Sequence, residues 1–304
     1  MSESPRLVKI LVRRPILRAS LLLAIIAILA IFHLEISLIE LGDVFSNLLI
    51  IANDSWPPDF SVLSDRASWA YPPCNLEADW MCSPAVLGMT QTLEIAFLAT
   101  IFGTILSLPL AAASATNISP PLLAQSMRQL LAALRVLPSL IWALIFVILV
   151  GIGPLAGVLA MTMYTVGYLG KLQYESLEGV SKEPLEVART MGLPRWQVAR
   201  YFAIPEAANS LISQMLFMFE YNVRHGSVVG LVGAGGIGWY MQYYLEPFKL
   251  YDRVLALIIV MYFVVIIIDQ ISLKLRIRFI DENELVRKSK WRGLIIPQLD
   301  SSDD

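Results

Sequence analysis

The chain has 304 residues, of which 57% are hydrophobic and 16% charged, with a formal net charge of −2 and a mean hydropathy of +0.64. A soluble domain carries about 25% charged residues, so this deficit, together with long apolar runs, marks a membrane protein, and the balance of charge gives no footprint for nucleic acid. Two histidines, His33 and His225, are too few for most metal sites, and no Gly-x-x-x-x-Gly-Lys-Ser/Thr loop is present, so any ATP must be bound by a separate chain.

About 20 apolar residues are needed to cross the hydrocarbon core. After a tail at residues 1–16, the first such helix is expected at residues 17–38, with Arg13, Arg14 and Arg18 at its start. The chain continues as His33-Leu-Glu-Ile-Ser with no small-x-small cleavage pattern, so this segment reads as an uncleaved helix and not a signal peptide. Residues 39–84 read as a polar, Pro-rich extracytoplasmic loop carrying Trp56, Trp69 and Trp80. These rings suit an interfacial belt or loop core, or a docking face for a binding protein. A second helix is expected at about 90–113 and a turn at 117–121. Two more helices are expected between Arg128 and Lys171, where Arg135 is the only charge, joined at Gly151-Ile-Gly-Pro154. Arg135, like Glu94, reads as a capping or snorkelling charge. A charged, amphipathic stretch follows at 171–201. The fifth helix is expected at about 205–221 and the last at 251–273, before the basic Lys274, Arg276 and Arg278 and a tail at 279–304.

Residues 226–245 are uncharged and long enough to span, yet contain six glycines. Each glycine costs a helix interior about 1 kcal/mol relative to alanine. Six spans put eighteen basic residues on the cytoplasmic side, against Arg66, Arg224, Lys249 and Arg253 outside; a seventh span would carry the C-terminal group across. Residues 226–245 therefore read as a re-entrant or peripheral element, with both termini cytoplasmic. This topology puts Cys74 and Cys82 in the outer loop, where a disulfide between them is expected.

The most informative cytoplasmic segment is Glu186-Val-Ala-Arg-Thr-Met-Gly192-Leu-Pro-Arg-Trp-Gln-Val-Ala-Arg-Tyr-Phe202-Ala-Ile-Pro205. Pro184 suits a first helical turn, and Gly192 before Leu-Pro194 ends that helix, so a short helix, a sharp corner and a second helix are expected. The spacing resembles the EAA loop of ABC-importer permeases, Glu-Ala-Ala, three residues, Gly, nine residues, then Ile-x-Leu-Pro. Glu186, Ala188, Gly192 and Pro205 match; Val187, Phe202 and Ile204 are apolar replacements. The resemblance implies that residues 171–204 contain the coupling helix that docks in an ATPase groove. Gly192 would permit a corner that a Cβ blocks, and Glu186 would accept hydrogen bonds at the helix start or meet a basic ATPase residue.

Gly233-Ala-Gly235-Gly-Ile-Gly238 matches the dinucleotide fingerprint Gly-x-Gly-x-x-Gly, with Asp252 further on. That motif needs a soluble strand–turn–helix unit, which a flanking membrane helix excludes. The longer string, Phe219-Glu-Tyr-Asn-Val-Arg-His-Gly-Ser-Val-Val-Gly-Leu-Val-Gly-Ala-Gly-Gly-Ile-Gly238, resembles the phosphonate/phosphite importer permeases, and its glycine part is shared with methionine-type importers. Along a translocation pathway, Arg224 would offer planar donors to phosphonate oxygens, Asn222 and Ser227 neutral donors, and Gly233, Gly235 and Gly236 close backbone approach. Glu220 is expected to pair with Arg224 one turn on; the alternative is an ion pair that only fixes helix geometry.

The resemblance covers about residues 88–278, within a permease core at 85–278. It implies an all-α type I ABC-importer permease fold with six spans, in the bacterial cytoplasmic membrane. It also implies two copies of the chain, two ATPase subunits and an extracytoplasmic binding protein, with no cofactor held by this chain and no nucleic-acid partner. The implied function is import of phosphonate-like oxyanions by alternating access. Phosphite, phosphate or another small solute is the alternative cargo. A membrane enzyme would need converging titratable groups that the sequence does not show, and a channel would work without ATP.

Overall fold

The computed structural model describes residues 15–34, 38–70 and 73–295, with side chains described at 19–34, 42–70 and 73–278. The tails at 1–14 and 296–304, with Arg13 and Arg14, lie outside the described residues. Among the described residues the chain is helical throughout, without a strand. It divides into two units, residues 1–56 and 57–304.

The first unit contains α1, Pro15–His33, and α2, Leu38–Ser55. The described side chains of α1, at residues 19–33, are mostly apolar and exposed. Helix α2 corrects the sequence reading, which gave residues 39–55 to a loop. Its apolar positions recur on one face (Leu41, Val44, Phe45, Leu48) among polar ones, a helical period that the Pro- and Trp-rich residues after it obscured. Pro57 and Pro58 follow its end.

The second unit opens with a segment of two 3₁₀ turns, Phe60–Leu63 and Asp79–Cys82. Asp59 caps the first by accepting from the Ser61 amide at 2.9 Å, and the Arg253 Nε donates to its carboxylate at 3.0 Å. The Ser61 amide and hydroxyl, and then Arg253, hold the Asp59 carboxyl below its ordinary value against some desolvation. Cys74 and Cys82 are disulfide-bonded, with Cα atoms 5.7 Å apart.

Helix α3 runs Pro84–Ser114, starting earlier than the sequence suggested because Ser83 caps it and Pro84 sits in its first turn. The expected single helix after Arg128 is two: α4, Pro121–Val136, and α5, Ser139–Val150, bent by 82°. Pro138 causes the break, since it lacks an N–H and drives Leu137 into extended backbone (ψ 124°). Gly151 and Gly153, both at positive φ, then lead into α6, Pro154–Glu178. Helices α3 and α6 and the first part of the last helix are long and apolar enough to cross a membrane, and the bent α4–α5 pair passes the same test jointly. Helix α6 packs closely on its neighbours through small residues: a Cβ on Gly103 of α3 would overlap the Thr165 side chain, and one on Gly167 would lie 2.8 Å from the Arg135 backbone nitrogen.

Helix α7, Lys182–Thr190, and the single turn α8, Arg195–Val198, form the projecting hairpin. A π turn, Ala199–Ala203, joins α8 to α9, Ile204–Gly230. Helix α9 extends well past the expected end at 221, so Gly226 and Gly230 lie inside it. Residues 231–236 form the glycine turn, and α10, Ile237–Leu245, follows. The last helix, α11, runs Tyr251–Ile295. Trp69 stacks on Tyr243 of α10 at 3.6 Å between ring centroids and packs edge-on to Tyr244, so it belongs to the loop core; Trp56 and Trp80 are exposed.

Candidate functional site

The hairpin has its own core. Leu185 and Ala188 of α7 and Val198, Ala199 and Ala203 beyond the corner are buried together with Ala111 of α3, Leu177 of α6 and Ala207 of α9. Helices α3, α6 and α9 thus meet in the same apolar cluster as the hairpin. The corner is built as a helix cap: the Leu193 N–H donates to the Ala188 carbonyl at 3.2 Å and the Gly192 N–H to the Arg189 carbonyl at 2.9 Å, with Gly192 at φ +75°. Nothing lies within 4 Å of where a Gly192 Cβ would sit. Glycine is required here by its backbone angle, not, as the sequence suggested, by crowding.

Ala188 is buried, and Pro205 stands in the first turn of α9. Glu186 is exposed in the middle of α7, one turn beyond the helix start it was expected to cap. Val187 and Met191 on the same arm, and Trp196 and Tyr201 beyond the corner, are each more than half exposed. On the opposite side Arg189 donates to the Asn117 carbonyl, and the Asn117 amide donates to the Leu177 carbonyl at 2.8 Å. Glu178 accepts from Arg128, from the Thr116 hydroxyl, and from the Thr116 amide at 2.7 Å. The hairpin is therefore tied to the α3–α4 connection as well as to α6 and α9.

Of the residues expected along the pathway, Glu220, Arg224 and Ser227 share one face of α9, Asn222 lies on the opposite face, and Gly233, Gly235 and Gly236 lie in the turn beyond the helix. Glu220 and Arg224 do not pair with each other: Glu220 accepts from Arg276, and Arg224 donates to Asp269 at 3.2 Å, both partners on α11. The i,i+4 spacing permitted the local pair, but α11 packs along that face and presents an opposite charge to each. Asn222 is fully buried; its amide donates to the Thr100 hydroxyl of α3 and the Thr165 hydroxyl of α6, each at 3.0 Å. Ser227 donates to the Arg224 carbonyl at 2.7 Å.

The glycine turn holds Gly233, Gly235 and Gly236 at positive φ. The Gly236 amide donates to Gln91 Oε1 at 2.6 Å and the Ile237 amide to Thr92 Oγ1 at 2.8 Å, while the Gly233 carbonyl accepts from the Gly153 amide at 2.9 Å. These amides are occupied by α3 side chains in this conformation. Gly230 and Gly238 let the end of α9 and the start of α10 touch, since a Cβ on Gly230 would lie 2.9 Å from the Gly238 Cα. The string that resembled a fingerprint thus makes a tight crossing of two helices.

Sequence reading missed a second set on α6 and α9. Tyr164 and Tyr168 stack on Tyr221, the Tyr164 and Tyr221 hydroxyls lie 2.8 Å apart, and His225 stacks on Tyr221 with centroids 3.7 Å apart. The available signal was polar residues recurring at four-residue spacing on α6 and on α9.

The model of the family described as "Binding-protein-dependent transport system inner membrane component" matches residues 103–275. The "Phosphite transport system permease protein PtxC" of Stutzerimonas stutzeri is 34% identical over 234 residues, covering 77% of this chain and 78% of that protein. The "Putative phosphite transport system permease protein HtxC" of the same organism is 36% identical over 195 residues, covering 64% and 69%. Among solved structures, a chain of the MetNI methionine ABC transporter in an inward-facing conformation superposes with a TM-score of 0.59 at 20% identity, covering 66% of this chain and 97% of that one. The match over more than half the chain, the relatives and the shared fold agree: this chain belongs to the family of binding-protein-dependent transport system inner membrane components, as the permease subunit of an ABC importer and not an enzyme.

Proposed function

We propose that this permease passes small PO₃-bearing oxyanions, phosphonates and the chemically equivalent H–PO₃ anion phosphite, across the bacterial cytoplasmic membrane by alternating access. The observation that carries the cargo is the similarity to phosphite permeases over most of the chain, joined to the Phe219–Gly238 string that resembles the phosphonate/phosphite importer permeases. Helix α7 is the coupling helix: Glu186, Val187 and Met191 face outward to meet an ATPase subunit, and Gly192 sets the angle of approach. Motion of the hairpin reaches α3, α6 and α9 through their common apolar cluster and reaches α4 through Arg189 and Asn117. Two copies of the chain, each with six spans and both termini cytoplasmic, form the path. An extracytoplasmic binding protein loads it and two ATPase subunits drive it. The Cys74–Cys82 bond supports an outer, oxidising location for residues 57–83. The glycine turn and α10 form a re-entrant element, since α10, at nine residues, is too short to span.

The test is uptake by proteoliposomes containing this chain with its ATPase and binding protein. ATP-dependent accumulation of phosphite and methylphosphonate is expected. Accumulation of a different small solute in their place refutes the cargo, and uptake that persists without ATP refutes the coupling.

A further inference from the structure

Helices α6 and α9 run antiparallel, and a row of polar side chains follows their seam. Near the coupling hairpin the Ser176 and Ser210 hydroxyls lie 2.8 Å apart, and the Gln214 amide donates to Ser176 Oγ at 2.6 Å and to the Leu172 carbonyl at 3.2 Å. Further along come the Tyr164–Tyr221 hydroxyl pair and His225 on Tyr221. On α9 the positions 210, 214, 221 and 225 fall within a sector about 60° wide at 3.6 residues per turn. From Ser210 to His225 the row rises about 22 Å at 1.5 Å per residue, roughly three-quarters of a 30 Å hydrocarbon core.

Polar groups between membrane helices often serve only to join them. The same molecule shows what that looks like: Asn222, Thr100 and Thr165 bond one another with at most 3% of any residue exposed. The α6–α9 row differs, because Ser210 is exposed and the rest are only half-buried. Lys171 and Glu175, an ion pair at 3.5 Å, continue it toward the hairpin without net charge. Lipid offers such a surface no hydrogen bonds, so a water-filled cavity must face it. Toward α11 the face is different: Met215, Phe219 and Phe97 line an apolar groove with Ile271.

We infer that the α6–α9 row is the wall of the translocation path, and that a PO₃-bearing oxyanion is handed along its hydroxyl, amide and imidazole groups. This rests on the permease reading and names the side chains of its path. Neutral donors suit the task, since a carried ion must leave as easily as it enters. On the α11 side of α9, Arg224 and Arg276 are each paired, with Asp269 and Glu220.

The experiment uses the assembled transporter in proteoliposomes with single cysteines at Ser210, Tyr221, His225 and, for comparison, Met215. A water-soluble, membrane-impermeant thiol reagent is applied from either side. The three cysteines on the row are expected to react at least about tenfold faster than Met215→Cys, because a thiol in hydrocarbon seldom ionises. Tyr221→Phe is expected to lower phosphite uptake about tenfold at unchanged membrane content, the loss of one well-placed hydrogen bond. Unreactive cysteines at all three positions in a transporter that still carries phosphite overturn the inference alone, as does full uptake by a Tyr164→Phe/Tyr221→Phe double variant. Failure of the unaltered transporter to carry phosphite or methylphosphonate, with labelling still confined to the row, overturns the cargo and leaves the path in place.

Discussion

Replacing Gly192 by alanine isolates one angle in the coupling hairpin. The native corner needs φ +75° at this residue, and its two cap hydrogen bonds, Leu193 to Ala188 and Gly192 to Arg189, form only with the chain turned that way. Holding an L-residue there costs about 1–2 kcal/mol, which lowers the population of the native corner about 5- to 30-fold. Whole-chain stability of about 5–15 kcal/mol absorbs that loss, so the variant should insert and accumulate normally. Because the space around the site is open, Gly192→Leu should carry the same penalty as Gly192→Ala within this chain, and Gly192→Asn a smaller one. ATP-dependent uptake, normalised to protein in the membrane, should fall in the order Gly, Asn, then Ala and Leu together. A leucine variant much worse than alanine would add a steric demand from the ATPase groove. Wild-type uptake by the alanine variant refutes the reasoning, because the corner would then not need the angle it shows.

Three further outcomes follow from the packing. Asn222→Leu leaves the Thr165 hydroxyl without its cross-helix partner and removes the donor to Thr100; thermal unfolding in detergent should show a loss of about 1–3 kcal/mol, and unchanged stability would deny the node its role. Arg276→Ala strands Glu220, whose side chain is 12% exposed, and should cost about 2–4 kcal/mol, less than for a fully buried pair; Glu220→Gln in the same chain should recover most of it, and no recovery would contradict the pairing. Asp59 contributes stability while ionised: its folded-state value lies below the ordinary 3.8, so the contribution is intact above that value and is lost as pH falls through the folded-state value beneath it. Asp59→Asn should be less stable than the parent at neutral pH, and the two should converge in acid; a constant gap at all pH values would remove Asp59 as the cause.

The sequence by itself determined much of what depends on neighbours along the chain, with α2 and the Pro138 bend as exceptions. Apolar length marked α3, α6 and the first part of α11, Gly151 to Pro154 marked a break, and Gly192 before Leu-Pro marked the corner of the hairpin, because each is a matter of local backbone angle and lipid solubility. The tight bend at Pro138 was legible in principle from the missing N–H, but the apolar run on both sides hid it. What only the tertiary structure decided is which way each helix is turned. Glu220 and Arg224 stand one turn apart and could have met, yet Arg276 and Asp269, 56 and 45 residues away, take them. Tyr164 and Tyr221, 57 residues apart, come together because α6 and α9 lie antiparallel in one register. The glycine string serves a crossing of α9 on α10 that no local period reveals. The rotation of a helix about its own axis is fixed by close packing against all its neighbours at once, and that rotation decides whether a polar side chain meets an ion partner, a buried amide or the path of the cargo.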